Sequence, residues 1–418
     1  MAALKIVQLS TYHTYGGAAI AALRLHDALL KSGVAASFLV HQKNHDENGV
    51  VALANNYLEK KIAFAHFAAE RLAFLPFEKD PSVRFAFSPA QVGVNISTHP
   101  LLQEADVIHL NWINFGFLSL RSLEQILDLG KPVVWTHHDM WAFTGGCHYS
   151  RGCERYETHC QNCPYLKNPS ATDLSFRLFE RKLRLFRRSN LTLVSPSVWL
   201  GNIAQNSALT SHLPVEIIPY PIDSAFFKPV DKIEAQIKLG LSPRKKWILF
   251  GSMNTQDVRK GFVYFKEAIQ SLTAHSDQLG VLIFGKSKPE IFDSLGLEVK
   301  ALGALPANEV ITAYQAANTL VVPSLEDNYP NTVLEAMACG TPVVGFRTGG
   351  IPEQIAHLQN GYVADLKSAT DLATGIKFVL LEADYNALSQ HARQVILARN
   401  SYETVARQYH KLYTSKHS

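Results

Sequence analysis

Two carboxylates stand eight positions apart in the stretch S-L-E-D-N-Y-P-N-T-V-L-E-A-M-A-C-G: Asp327 and Glu335, with Pro330, Asn331 and Thr332 between them. Pro330 ends an extended segment, Asn331 or Thr332 can cap a helix running to about Cys339, and Gly340 stops it. A helix start offers unsatisfied N–H groups and partial positive charge, which suits a phosphate. A carboxylate in the first turn then accepts hydrogen bonds from the hydroxyls of a sugar attached to that phosphate. The same residues also read as a capping box, Thr332 with Glu335, which would make Glu335 purely structural. Residue types and spacing leave these two readings level.

Other groups with chemical potential are spread along the chain. Gly16 and Gly17 form a turn between a strand and a helix and permit close backbone approach to a ligand, although the dinucleotide-binding fingerprint is absent. The run Val133–Met140 ends a strand in His137, His138 and Asp139, polar groups where α/β proteins build their sites. Val107–Phe117 places His109, Asn111, Trp112 and Phe115 at another strand end, where aromatic rings suit either a sugar face or the core. Arg259 and Lys260 follow a further strand and can neutralise a diphosphate, one as a fork and one as a point charge.

Four of the five cysteines, Cys147, Cys153, Cys160 and Cys163, lie close together and end in C-x-x-C. In a reduced compartment that pattern suggests a structural zinc ion, with His148 or His159 able to replace a sulfur. Two disulfides, or a loop without metal, remain open. The helix pattern Leu174–Ser189 carries Phe176, Phe179, Leu183 and Phe186 on one stripe and Arg177, Arg181, Arg184 and Arg188 beside it. It suits either an anionic membrane surface or a domain helix whose arginines reach water.

Such side chains need rigid elements to aim them. Apolar runs at Lys5–Leu9, Ser37–Val40, Asp106–Leu110, Val133–Thr136 and Leu191–Val194 alternate with helical patterns, which predicts a parallel sheet covered on both faces. After a proline-rich joint, Ile218–Pro229, the pattern restarts with strands at Trp247–Phe250, Val281–Phe284, Leu320–Val322 and Pro342–Val344. Two α/β domains follow, each with its ligand end at the carboxyl termini of its strands. A helix over about Tyr57–Leu75 and an irregular stretch, Pro76–Pro100, interrupt the first alternation. Long irregular segments within compact domains are often functional.

Bulk properties narrow the classes. The 418 residues suit two or three domains, and 47% hydrophobic with 18% charged residues allow sizeable cores. A net charge of +4 is too small to argue for nucleic acid. No apolar run reaches the ~18 residues of a membrane span. The opening M-A-A-L-K turns directly into a strand, unlike a signal peptide, so the expected compartment is the cytoplasm.

Ser324–Glu353 resembles the donor-site signature of retaining family-4 glycosyltransferases. That signature has two acids separated by seven residues and a helix reading E-A-M-A-x-G-x-P-V-V, matched here by Glu335 to Val344. The first acid is usually Glu and here is Asp327, one methylene shorter; Glu326 has the wrong spacing. Thr136–Cys153 resembles the sub-branch containing colanic-acid and other exopolysaccharide glycosyltransferases, and Ser401–Tyr413 is similar to the helix that closes such chains.

The resemblance implies the GT-B fold, two Rossmann-like doubly wound α/β domains facing across a cleft. Residues 1–218 would be the acceptor domain, with the cysteine-rich loop 147–163; residues 219–396 would be the donor domain; residues 397–418 would form a helix crossing back. It implies Glu335 on the nucleotide ribose and the N–H groups of Asn331, Thr332 and Val333 on the diphosphate. Lys260 would join them, with Arg259 standing in for a family arginine that Ser252-Met253-Asn254 lacks. Gly16 and Gly17 would touch donor phosphate or acceptor, and His109 and Trp112 would meet the acceptor. His138, Asp139, Lys260 and Asp327 would form the catalytic group.

The implied reaction moves a hexosyl group from a nucleotide-diphospho-sugar, with retention, to a hydroxyl of a glycan or lipid-linked oligosaccharide in surface polysaccharide synthesis. No metal would act in catalysis, and the chain would be cytoplasmic with peripheral contact at the inner face of the membrane. Two alternatives share the fold, a non-catalytic nucleotide-sugar-binding protein and a sugar-nucleotide epimerase. A nucleic-acid module built on the cysteines is disfavoured, because only Arg151, Arg155 and Lys167 lie near them.

Overall fold

The computed structural model describes residues 4–187, 190–286, 292 and 294–417. The chain divides into two compact units: Met1–Pro219 together with Val405–Ser418, and Tyr220–Thr404.

The first unit is built on a parallel sheet of β1 (Lys5–Ser10), β2 (Ala35–Gln42), β3 (Val50–Ala54), β4 (Val107–Leu110), β5 (Val133–Thr136), β6 (Leu191–Ser195) and β7 (Val215–Ile217). Their order is β3-β2-β1-β4-β5-β6-β7. β4, β5 and β6 are buried along their whole length, as expected of strands covered on both faces. The second unit's sheet has β8 (Lys246–Asn254), β9 (Leu279–Lys286), β10 (Glu298–Gly303), β11 (Thr319–Val322), β12 (Val343–Phe346) and β13 (Gly361–Ala364). They run parallel in the order β10-β9-β8-β11-β12-β13.

Four strands are absent from the sequence-based reading, β3, β7, β10 and β13, and all four are sheet edges. An edge strand needs no continuous apolar run: β10 is Glu-Val-Lys-Ala-Leu-Gly and mostly exposed, and β7 has only three residues.

The helix Tyr57–Phe74 starts at Asn56, whose side chain and that of Glu59 close a reciprocal capping box. The irregular stretch after it is pinned from that helix. The buried Glu70 carboxylate accepts the N–H groups of Ala90, Gln91 and Val92 at 2.7, 3.1 and 3.0 Å, and Arg71 donates to the Arg84 and Phe87 carbonyls. Burial raises the Glu70 carboxyl, and the three N–H groups and Arg71 oppose that.

The helix Leu174–Phe186 turns Leu174, Leu178, Phe179, Leu185 and Phe186 into the first core. Its main apolar side is therefore spent on the protein, which removes the reason to lay this helix on lipid; Arg188 and Ser189 lie outside the described residues. Among the described residues no helix is long and apolar enough to cross a membrane. The final helix, Tyr402–His417, buries Tyr409 and Tyr413 within the first unit.

Candidate functional site

In the second sheet the strand order reverses between β8 and β11, and ligands of open α/β sheets bind outside the carboxyl ends of the strands at such a point. The two loops leaving there carry Lys260 and Asp327, whose Nζ and Oδ2 lie 2.6 Å apart. The Ser324 hydroxyl donates to the same oxygen at 3.3 Å. The Leu325 N–H donates to the Arg259 carbonyl at 2.7 Å, tying one loop to the other. Gly261, at φ +65°, runs so close to the Pro323 carbonyl that a Cβ there would stand 1.8 Å from its oxygen. Gly349 approaches the Asp327 carbonyl equally closely, so only glycine lets these three loops meet around Asp327.

The helix Asn331–Ala338 follows. Pro330 occupies the cap position and no side chain caps the helix, so neither Asn331 nor Thr332 is the cap. Thr332 is the second helical residue, and the Thr332–Glu335 capping box does not form. Glu335 lies a turn further in, buried, with its Oε2 accepting the Tyr314 hydroxyl at 2.6 Å. Arg259 is directed at Asp257, 2.8 Å away.

The first sheet reverses between β1 and β4. The loops after these strands are joined: Thr11 donates its N–H to the Trp112 carbonyl at 2.7 Å and its hydroxyl to the Asn114 carbonyl at 2.8 Å. Gly16, at φ +89°, opens the helix Gly17–Lys31, and among the described residues nothing lies within 4 Å of where its Cβ would be. After β5, His137 is buried, while His138 places Nε2 3.2 Å from the Asn111 carboxamide oxygen. Burial lowers the His138 pKa to about 4 against the pull of Asp139, so at neutral pH the ring is uncharged and acts by hydrogen bonding.

Asp139 is fully engaged. Its Oδ2 accepts Trp112 Nε1–H at 2.8 Å and His148 Nδ1 at 2.7 Å, and its Oδ1 accepts the Trp141 N–H at 2.8 Å. Burial alone would raise its carboxyl; the charge and hydrogen bond of His148, then the two tryptophan N–H groups, bring it below the ordinary value. Trp112 is half-buried, edge-on to Phe115 with ring centres 4.6 Å apart. His109 departs from the expectation of an acceptor contact. It is wholly buried, with Nδ1 2.6 Å from the Tyr413 hydroxyl and Nε2 2.8 Å from Thr136 Oγ1, so it fastens the final helix to the sheet.

Residues 232–395 match the family model described as "Glycosyl transferases group 1". This part of the chain is a glycosyl transferases group 1 domain. Along 82% of its length the chain is 27% identical to the putative colanic acid biosynthesis glycosyl transferase WcaC of Escherichia coli K12, covering 82% of that protein. A D-inositol 3-phosphate glycosyltransferase of Corynebacterium jeikeium is 30% identical over 42% of the chain and 45% of its own length. Among solved structures, sucrose-phosphate synthase of Thermosynechococcus elongatus has a TM-score of 0.67 at 18% identity, with 99% of this chain and 98% of that one covered. Anabaena HepE in complex with UDP has a TM-score of 0.64 at 17% identity, covering 99% and 100%. These likenesses establish the fold: both parallel-sheet units match GT-B glycosyltransferase structures.

The group 1 domain thus contains Lys260, Asp327, Asn331, Thr332, Val333 and Glu335, gathered at one switch point. His138, Asp139 and Trp112 are gathered at the other, in the first unit. Sequence reasoning missed Tyr314, which holds Glu335, and did not foresee that Ser324 holds Asp327 or that Asn111, already placed at the strand end, meets His138. Tyr314 and Asn111 stand 21 and 27 positions from the groups they meet, so spacing carries no trace of those contacts, whereas Ser324 is only 3 positions from Asp327. His148 had been considered only as a metal ligand, and its ring faces Asp139 instead.

Proposed function

We propose that this protein is a retaining hexosyltransferase that moves a sugar from a nucleotide-diphospho-sugar to a hydroxyl of a glycan or lipid-linked oligosaccharide. The observation that carries this reading is the Lys260–Asp327 pair at the switch point of the group 1 domain, beside buried Glu335 on the helix that starts at Asn331. The N–H groups at that helix start and the Lys260 ammonium hold the diphosphate and stabilise the charge it gains as it leaves. Glu335 accepts the ribose hydroxyls, and Asp327 accepts hydroxyls of the transferred sugar.

In the first unit, uncharged His138 hydrogen-bonds the donor sugar. Asp139 acts through others, fixing Trp112 as a platform for the acceptor. Retention rests on likeness to family-4 enzymes. HepE has been solved in complex with UDP, with UDP and glucose, and with UDP-glucose, which makes UDP-sugars the first donors to try. The name of the E. coli relative favours an exopolysaccharide acceptor. A lipid-linked acceptor would bring the protein to the inner face of the membrane.

The test is a thermal-shift screen with UDP, GDP, ADP, dTDP and CMP, followed by nucleotide sugars. A ligand at 100 times its Kd adds about 2.7 kcal/mol to the native state. One diphosphate should raise the melting temperature of the parent and not of Glu335→Ala. Equal shifts in both proteins would remove Glu335 from the ribose. Binding without transfer or hydrolysis would favour a non-catalytic binder.

A further inference from the structure

Four cysteines of the first unit line one small cavity, with Phe87 and Tyr156 among its walls. Its volume is about 20 Å³, room for a single water-sized sphere or ion. None of Cys147, Cys153, Cys160 and Cys163 is in a disulfide. The loop that carries them is tightly held. The Gly145 N–H donates to Cys160 Sγ at 3.1 Å, and a Cβ on Gly145 would stand 2.8 Å from that of Cys160. A Cβ on Gly146 would lie 2.4 Å from the Phe87 ring.

Two further observations give the cluster a charge requirement and a donor set. Lys182, wholly buried, lies beside the thiols. Its ammonium donates to the Trp141 and Thr144 carbonyls and stands 3.5 Å over the Trp141 ring, and among the described residues no carboxylate pairs with it. Thr144 is followed by Gly145, whose N–H meets Cys160 Sγ, so the ammonium and that thiol are held by consecutive residues. A buried ammonium without an anion is costly, and ionised sulfur would supply one. The two nearby histidines are committed at both ring nitrogens: His148 to Asp139 and Ser88, His159 to Glu180 and the Cys160 carbonyl. That leaves sulfur alone as ligand.

We propose that Cys147, Cys153, Cys160 and Cys163 bind one zinc ion as four thiolates, with Lys182 as the buried counter-charge. Four thiolates on Zn²⁺ leave a formal net charge of about −2, half of it offset by one ammonium. Among the described residues no three His, Cys, Asp or Glu side chains are arranged to hold an ion as they stand, so the thiols must turn inward about their Cα–Cβ bonds. Binding releases the thiol protons to solvent. The site is structural, since protein fills every ligand position. It fixes the loop at Cys147, the residue before His148, and so holds His148 on Asp139.

The test uses the full chain, purified in reductant without a metal-affinity step. Elemental analysis should find about one zinc per chain, falling below about a tenth in Cys147→Ser/Cys160→Ser and unchanged in Cys339→Ser. Cobalt exchange should give the intense visible bands of tetrahedral thiolate cobalt. Lys182→Met should give up zinc to a chelator at least about tenfold more readily than the parent. A folded parent that is free of metal with five titratable thiols, or that holds two disulfides, overturns the proposal. Stoichiometric iron with visible absorbance overturns the zinc assignment. Should the serine variant fail to fold, parent stoichiometry and cobalt spectrum decide alone.

Discussion

Replacing Lys260 with alanine removes the ammonium 2.6 Å from Asp327 and leaves that carboxylate with the Ser324 hydroxyl at 3.3 Å. Breaking a fully buried pair costs about 3–5 kcal/mol, and an exposed pair is worth about 0–1 kcal/mol. The lysine side chain is 31% exposed and the aspartate 13%, so the pair lies between these limits. We expect Lys260→Ala to lower stability by about 1–2 kcal/mol, most of it from the stranded carboxylate. Adding Asp327→Ala removes that carboxylate and should recover most of the loss, a coupling visible in a double-mutant cycle by urea unfolding.

Transfer should behave differently. Losing a charge aimed at the leaving diphosphate should lower kcat/KM about 10²–10³-fold, or about 2.7–4 kcal/mol, and the double variant should recover none of it. Steady-state kinetics with the nucleotide sugar found by the thermal-shift screen separates the two effects. A single variant within about tenfold of the parent, or a double variant that regains turnover along with stability, would show that Lys260 only braces the loops.

Gly261→Ala forces a Cβ to 1.8 Å from the Pro323 carbonyl at φ +65°, so it should destabilise the second unit by about 2–4 kcal/mol and weaken donor binding; an unchanged unfolding midpoint would refute the close approach. Asp139→Asn keeps an acceptor for Trp112 and His148, which share Oδ2, but turns an NH2 group toward the Trp141 N–H that Oδ1 accepts, stranding that donor at about 1–3 kcal/mol. The acceptor KM should rise while donor affinity stays constant; an equal loss of donor affinity would contradict the assigned role. Acid should destabilise the first unit. Burial lowers His109 and His137 to about 3, and His41 and His138 to about 4, while the unfolded chain takes up these protons near pH 6.5. The unfolded state therefore binds more protons below pH 6.5, and each ring removes up to about 1.4 kcal/mol per pH unit from there down to its folded value. A melting temperature flat between pH 7 and 5 would rule this out.

The parts of the fold legible in the sequence were those whose physics is local. Central strands such as β5 and β11 are continuous apolar runs because both faces are covered, and continuous runs are easy to see. Of the edge strands, β7 has only three residues and β10 carries Glu298 and Lys300, because an edge carries less of the core; β3, Val-Val-Ala-Leu-Ala, is an apolar run that the sequence reading passed over. The placement of Asp327 before, and of Glu335 on, one short helix was legible because loop, helix and glycine stop are consecutive in the chain. Glu335 nevertheless read equally well as a capping partner, and only the placement of Pro330 at the cap removed that reading. His109 misled because a polar residue at a strand end resembles a site residue until its partners, Tyr413 and Thr136, are known. Tyr413 lies 304 positions away, beyond any local pattern.

The carboxylates can be ranked by the acceptor capacity they have left. An ionised carboxylate offers roughly four lone-pair sites. Asp139 has three of them filled, by Trp112, His148 and the Trp141 N–H. A group so saturated has little to offer a substrate and cannot readily take a proton, since its partners all favour the ionised form. Asp327 differs: Lys260 and Ser324 both reach Oδ2, which leaves Oδ1 to accept. Under the proposed function, Asp139 would therefore act as a positioning residue and Asp327 as a contact residue. The uncharged His138 beside Asp139 likewise supplies a hydrogen bond and not a charge. Under the proposed function, His138 and Asp139 would supply no strong base, and charge compensation would rest on Lys260 and the helix start of the group 1 domain. On that same proposal, the proton of an incoming hydroxyl would leave with the departing diphosphate, which Lys260 would hold.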